Sequence, residues 1–355
     1  MDTNLPRPVP SMLPIVALTL GDVAGVGPEL AVQLLTSEPD LYQSVRPIVV
    51  GSAAILRRAV DLLGATVTVL PIQLPSEAIA SPKQILCIEA ATQDLSGLVP
   101  GQIDARAGQA AYEFLDRAID LAFAGQVDAI TTLPLQKESL HLAGVPHPGH
   151  TEILAEKCGG LEHAMMLFVG PPISRTESGL AVLHATLHVP LRKVFELLTV
   201  ERVMTAIMLA DQALRPLTAG NPPRIGVAGL NPHAGEHGLF GTEESTIIEP
   251  AIQSCRESGI LVSGPYPADT LFRRGLNGEF DAVIAMYHDQ GHAAVKSVAF
   301  HEAVNVTLGL PIVRTSVAHG TAFDIAWKGI ADPSSLRTAV LLATRIVAGK
   351  RKLGQ

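Results

Sequence analysis

A chain of 355 residues is too long for one ordinary hydrophobic core and suits two α/β lobes with a ligand cleft between them. Apolar residues make up 47% of it and aromatics only 4%, so the core is built from Ala, Val, Leu and Ile, a composition that favours buried parallel strands. The formal net charge of −8 is spread without a basic stripe, which excludes nucleic acid as a partner and means that an anionic ligand needs locally placed cations.

Residues 1–14 are polar and Pro-rich, lack the apolar segment of a signal peptide, and predict a flexible tail. From residue 15 onward, short β-branched runs bounded by Gly, Pro or Asn alternate with longer amphipathic stretches, the βαβ rhythm of a mostly parallel sheet. Strands are predicted over residues 15–20, 47–50, 85–88, 129–133, 165–169, 180–183, 224–228, 282–286 and 304–306. Helical periodicity is clearest over 105–124, 200–214, 243–256 and 336–347. No apolar run reaches membrane-spanning length. Cys87, Cys158 and Cys255 lie far apart without a CxxC pair, so neither a disulfide framework nor a zinc knuckle is indicated, and a reducing cytoplasm is expected.

The polar punctuation falls just after the predicted strands, at the carboxyl edge where open α/β sheets bind ligands. Residues 21–30, GDVAGVGPEL, follow a strand and enter a helix through Pro28 and Glu29. Their glycine spacing does not match GxGxxG, so a tight strand-to-helix turn explains the segment first. In PLQKESLHLAGVPHPGHTEILAE, residues 134–156, Pro148 and Gly149 make a turn, and His150 and Thr151 begin a helix with Thr151 placed to cap it. A hydroxyl, free backbone N–H groups and the positive helix end form an anion site there, with plain capping as the alternative.

His188, His233 and His288 each follow a different predicted strand. Three neutral imidazoles from separate strands suit zinc or a similar ion with positions left open for substrate oxygens, whereas a histidine taken singly is more often structural. His184 precedes His188 on a β-rich run that Pro190 ends, so the two read as strand and exit; His237 and His292 read as outer-sphere or surface residues. Asp289 either orients a ligand or caps a helix. Lys296, Asn305 and Arg314 border apolar segments and suit a doubly charged anion, with a solvated surface as the alternative for Lys296. The run VAHGTAFDIAWKGIADPSSL, residues 317–336, is by itself a turn leading into a helix.

In chain order, GDVAGVGPEL, PGHTE, LHVPL, NPHAGE, GPYPADT, YHDQGH, VNVTLGLPIVRTS and HGTAFDIA resemble the 4-hydroxythreonine-4-phosphate dehydrogenase family, over nearly the whole chain. The last of them is also similar to the cofactor loop of isopropylmalate dehydrogenases. The resemblance implies a two-lobed α/β/α fold with mostly parallel sheets, isocitrate/isopropylmalate dehydrogenase-like. Residues 15–133 plus 308–355 would form the cofactor-side lobe and 134–307 the metal-binding and dimerisation lobe. It also implies a homodimer whose cleft is completed by the partner subunit. The family's metal ligands fall on His188, His233 and His288, for a divalent ion, zinc first and magnesium, cobalt or manganese as alternatives. Substrate contacts fall on His150, Thr151, Lys296, Asn305 and Arg314, and catalytic roles on Asp269, Asp289 and Lys296. The loop for NAD or NADP falls on His319, Gly320, Thr321, Ala322 and Asp324.

The implied reaction oxidises 4-phosphohydroxy-L-threonine to 2-amino-3-oxo-4-phosphooxybutanoate, which decarboxylates to 3-amino-2-oxopropyl phosphate in pyridoxine 5'-phosphate biosynthesis. Relatives that oxidise D-threonate or D-erythronate 4-phosphate, or a cyclic cis-diol dicarboxylate, are the alternatives. A catalytically idle phosphometabolite-binding protein and a lyase without redox chemistry are alternatives of other classes. Val23 departs from the family's common Pro, Gln136 from Asn, Ala318 from Asp and Trp327 from Gly.

Overall fold

Among the described residues, twelve strands build the fold: β1 (Ile15–Thr19), β2 (Arg46–Gly51), β3 (Thr68–Ile72), β4 (Gln84–Glu89), β5 (Ala129–Thr132), β6 (Ala164–Val169), β7 (Leu180–His184), β8 (Ile225–Ala228), β9 (Val262–Tyr266), β10 (Ala282–Ala285), β11 (Val304–Leu308) and β12 (Val313–Val317). They are seen in a computed structural model that describes residues 13–77, 79–161, 163–171, 173–300 and 302–355; the predicted tail lies outside the described residues up to residue 12. The strands join in one sheet, ordered β3-β4-β2-β1-β5-β12-β11-β6-β7-β10-β8-β9. Pairing is parallel except around β11 and β6, where β12–β11, β11–β6 and β6–β7 are antiparallel. This is the mostly parallel α/β architecture that the composition predicts. Among the described residues no helix is long and apolar enough to cross a membrane.

The strands that periodicity misses have physical reasons. β3 and β9 are the two outer strands of the sheet and carry Pro71 and Pro265, residues that a central strand would not tolerate. β12 is central but reads VRTSV, because alternate side chains face a polar cleft instead of a core. The helix predicted over 243–256 is two pieces, a π-helical turn at Glu244–Ile248 and an α-helix at Glu249–Glu257, with Pro250 at the junction where its missing N–H does least harm. The last helix is longer than predicted, Ser334–Lys352.

Because side chains alternate across each strand, the sheet buries two different faces. On the back, Val16, Leu18 and Ala129 form one core, and Met166, Leu183, Ile225 and Ile284 a second. The Ser334–Lys352 helix bridges them, giving Leu336, Val340 and Val347 to the first and Ala339, Leu342 and Ile346 to the second. Each fully buried Leu or Ile contributes roughly 1.5–3 kcal/mol over an exposed one, so this helix is a strong tie between the halves. On the front, the core around Ile48, Ile130, Ile153 and Leu154 is separate from that around Leu167, Val182, Val283 and Val295. Between the front cores, paired residues Asn305 with Ser316 and Thr307 with Arg314 line a polar strip along β11 and β12.

Strand direction matters for where ligands bind. Three antiparallel junctions, β12–β11, β11–β6 and β6–β7, leave β7, β10 and β8 running opposite to β1, β5 and β12. The single carboxyl edge expected from sequence is therefore two edges. The turns after β7, β8 and β10 share one, and the turns after β1, β5 and β12 share the other.

Candidate active site

Arg314 sits at the centre of the polar strip, only 2% exposed. Its guanidinium donates to Thr307 Oγ1 at 3.0 Å and Thr132 Oγ1 at 2.6 Å, while Nε has no partner. Burial lowers its pKa to about 10, which still leaves it charged at neutral pH. Burial first, and then the Arg314 charge, hold His150 far below the usual imidazole range, so His150 is neutral. Its Nε2 is buried without a partner, and so is Asn305 Oδ1. Buried polar atoms are nearly always paired, with protein, water or ligand, and leaving one unpaired costs on the order of 1–3 kcal/mol. Three such atoms thus fall on three of the residues predicted to contact substrate.

The helix carrying His150 runs His150–Lys157 with Gly149 as its cap, two positions before the predicted cap at Thr151. Thr151 is therefore not the cap; it lies inside the first turn. With Glu152 it lines a cleft of about 800 Å³ whose other walls include Met165, His184 and His188. Lys296 ends the His288–Lys296 helix, half-buried and within electrostatic reach of His292.

The turn after β7 presents His188, and the helix after β10 opens with His288; their ring centroids are 5.6 Å apart. Asp289 Oδ1 lies 2.7 Å from His288 Nδ1, which assigns the proton to Nδ1 and leaves Nε2 free to ligate. His188 is held below its ordinary pKa by burial and by His288, in the neutral form that binds metals. Beneath this pair, His292 stacks on His288 at 3.7 Å, and its Nδ1 lies 3.2 Å from Nε2 of His184, the last residue of β7. Gly291 makes that contact possible: a Cβ there would lie 2.4 Å from His184 Nε2.

His233 stands apart. It is exposed in the turn after β8, where His233, Ala234, Gly235, Glu236 and His237 all have left-handed φ between 42° and 81°. Such a run of mostly non-glycine residues is strained and persists only where surrounding contacts fix it. Buried Glu244 does so, accepting from the N–H of Leu230 at 2.8 Å and of Asn231 at 2.7 Å. Gln290 ties the neighbouring strand ends together, accepting from Met286 N–H and donating to the Gly229 carbonyl. The His233 ring packs at 5.9 Å from Phe240. Among the described residues, no three His, Cys, Asp or Glu side chains come together to hold a metal. The chain thus pairs His188 with His288 and leaves the third predicted ligand on a separate turn. The donor chemistry, neutral imidazoles with one tautomer set by a carboxylate, fits a borderline divalent ion. Asp269 is exposed in the first turn of the Ala268–Leu276 helix, which packs beside the His233 turn, not in the cleft lining.

The loop of His319, Gly320, Thr321, Ala322 and Asp324 follows β12 and is sewn to the turn after β1. Val26 N–H donates to the Thr321 carbonyl at 3.1 Å. Glu29, fully buried, accepts from Trp327 N–H at 2.8 Å and Gly329 N–H at 2.7 Å. Sequence reading gave Glu29 only a place in a helix start. Trp327 has φ of 59°, a conformation suited to glycine; its indole donates to the Val23 carbonyl at 2.9 Å and the Arg58 guanidinium lies 4.4 Å over its ring. Two of the departures from the family pattern, Val23 and Trp327, therefore touch each other.

The single mostly parallel sheet, with buried Arg314 on the polar strip along β11 and β12, defines an α/β protein. The family model described as pyridoxal phosphate biosynthetic protein PdxA matches residues 43–343, and the chain belongs to that family. D-threonate 4-phosphate dehydrogenase of Bordetella bronchiseptica is 44% identical over 341 residues, covering 96% of this chain and 94% of the relative. 4-Hydroxythreonine-4-phosphate dehydrogenase of Desulforapulum autotrophicum is 41% identical, covering 93% and 94%. The crystal structure of 4-hydroxythreonine-4-phosphate dehydrogenase from Klebsiella pneumoniae superposes with a TM-score of 0.83 at 45% identity, covering 94% of this chain and 99% of that one.

Proposed function

We propose that this protein is a metal-assisted, NAD(P)-linked dehydrogenase that oxidises the C3 hydroxyl of a four-carbon hydroxy acid phosphorylated at its C4 oxygen. The observation that carries the reading is the set of buried, unpaired polar atoms: Arg314 Nε and His150 Nε2, as donors, suit a phosphate, while Asn305 Oδ1, an acceptor, suits a hydroxyl or ammonium group of the same ligand. The names of the relatives support two substrates, 4-phosphohydroxy-L-threonine and D-threonate 4-phosphate, which share this skeleton and differ at C2.

The reaction balances as follows. The C3–H electron pair leaves as hydride to the nicotinamide, the hydroxyl gives up its proton, and a ketone forms. The carboxylate is then β to that ketone, so the C1–C2 bond breaks, carbon dioxide departs and the enolate left behind takes a proton at C2. From the amino substrate the product is 3-amino-2-oxopropyl phosphate, a step of pyridoxine 5'-phosphate synthesis. A divalent cation on His188, His233 and His288 would supply Lewis-acid polarisation of the hydroxyl and of the new carbonyl. Arg314, Asn305, His150, Thr151 and Lys296 would hold the phosphate and acid ends. Asp289 orients His288, and Asp269 would act from beside the His233 turn. His319, Gly320, Thr321, Ala322 and Asp324 would line the nicotinamide-cofactor site.

In this reading residues 15–133 plus 308–355 serve the cofactor and 134–307 the metal and a homodimer contact. The dimer is supported by Leu239 and Phe240, 73% and 47% exposed on the same segment as His233. A reducing cytoplasm suits the free Cys87, Cys158 and Cys255. The test is reduction of NAD or NADP by purified protein, given a divalent ion and each of the two substrates in turn. Turnover of one names the substrate; silence with both, alongside measurable phosphate binding, favours the idle binding protein and ends the dehydrogenase reading.

A further inference from the structure

We propose that Glu152 is the proton acceptor for the hydroxyl being oxidised, an inference that rests on the dehydrogenase reading above. Glu152 occupies the third position of the His150–Lys157 helix and lines the cleft, half-buried. It lies within electrostatic reach of Arg314 on one side and His188 on the other. In a four-carbon acid phosphorylated at O4, the C3 hydroxyl is separated from the phosphate by a single carbon, C4. A phosphate at Arg314 and a hydroxyl directed toward His188 therefore place the O–H bond alongside the carboxylate that both of those groups reach.

The other acids are otherwise engaged. Asp289 is bound to His288 Nδ1 at 2.7 Å. Asp269 is exposed on a different helix. Glu201, the second acid of the same cleft lining, bonds Thr199 and its own backbone N–H at a helix start. Lys137, which faces His188, and Lys296 are not carboxylic acids. Glu152 accepts the proton as the hydride leaves C3, and the nicotinamide is the oxidant; the carboxylic acid then returns the proton to solvent through the open cleft.

A purely structural role is the competing explanation. A Glu at the third helical position reaches back to the residue before the helix, and Glu152 Oε2 does lie 3.4 Å from where a Gly149 Cβ would be. Gln serves that capping role as well as Glu and cannot take a proton, so Glu152→Gln separates the two. We expect its kcat to fall about 100-fold or more, the range of a lost general base, with KM within about threefold of wild type. Zinc and inorganic phosphate binding by calorimetry and the melting temperature stay unchanged. In Glu152→Ala, added formate or acetate restores part of kcat; in Glu152→Gln it does not. Retained kcat in Glu152→Gln, or a loss that appears only in KM or in zinc or phosphate affinity, overturns the inference while leaving the dehydrogenase reading standing. A wild-type protein inert toward both substrates overturns the parent reading instead.

Discussion

Arg314 has its charge below the surface because two threonine hydroxyls, from Thr132 and Thr307, take up two of its donors and leave Nε for something else. A charged contact of this kind is worth about 2 kcal/mol or more to the ligand it holds. Arg314→Ala should therefore raise the Kd for inorganic phosphate by at least tenfold in calorimetry, and an unchanged Kd would remove Arg314 from the anion site. Asp22, in the turn after β1, is the opposite case, a buried carboxyl with Oδ2 unpaired. Burial raises its pKa from 3.8 to about 6. With the folded value above the unfolded one, its contribution favours folding fully below 3.8 and is lost as pH rises through about 6. At pH 8 the buried carboxylate is a cost of up to about 3 kcal/mol. Asp22→Asn should accordingly melt at a higher temperature than wild type at pH 8 and gain little at pH 4. Equal shifts at both pH values would contradict the burial argument.

At the scale of elements, strands with apolar faces on both sides were readable, and those that meet water or ligand were not. Periodicity finds β1, β5 and β7 because both their faces are buried. It passes over β12, whose Arg314 and Ser316 are buried polar residues serving the cleft. His150 at a helix start, and Asn305 and Arg314 at the borders of apolar segments, were legible as an anion site, and motif resemblance gave them substrate roles; that their polar atoms are left unpaired was not, since nothing local marks it. The cap at Gly149 and the direction of β7, β8 and β10 were hidden for a related reason: one depends on backbone geometry, the other on long-range pairing. Glu29 belongs with these hidden features. Its carboxylate holds the Trp327 and Gly329 N–H groups across 298 and 300 residues of sequence. Removing it leaves the buried Trp327 N–H unpaired, at on the order of 1–3 kcal/mol, and the part-buried Gly329 N–H as well. Glu29→Ala should lower the melting temperature and raise KM for the nicotinamide cofactor, with KM for the phosphorylated acid unchanged. A rise confined to the acid's KM would place the 319–329 loop away from the cofactor.

For the molecule as a whole, the reversal of strand direction at β6 and β11 sets what one chain can assemble. His188 and His288 meet at 5.6 Å, whereas His233 rests against Phe240 on a turn fixed in a strained conformation by Glu244. A turn held that firmly is expected to be built for a contact, and its neighbours Leu239 and Phe240 are exposed apolar groups that a second copy would cover. In a twofold dimer the same patch meets itself or its counterpart, so the His233 turn of one protomer can complete the His188–His288 pair of the other. That arrangement makes a specific forecast for mixtures. His233→Ala and His288→Ala proteins, each inactive alone, are unfolded together and refolded as an equal mixture. Half the dimers are then mixed, and each mixed dimer has one site with all three imidazoles and one that keeps only His188, so about a quarter of the wild-type activity should return. Zinc binding should recover in the same proportion. No recovery in a mixture shown by mass to contain heterodimers would mean that all three imidazoles come from one chain, with the His233 turn moving to reach the others.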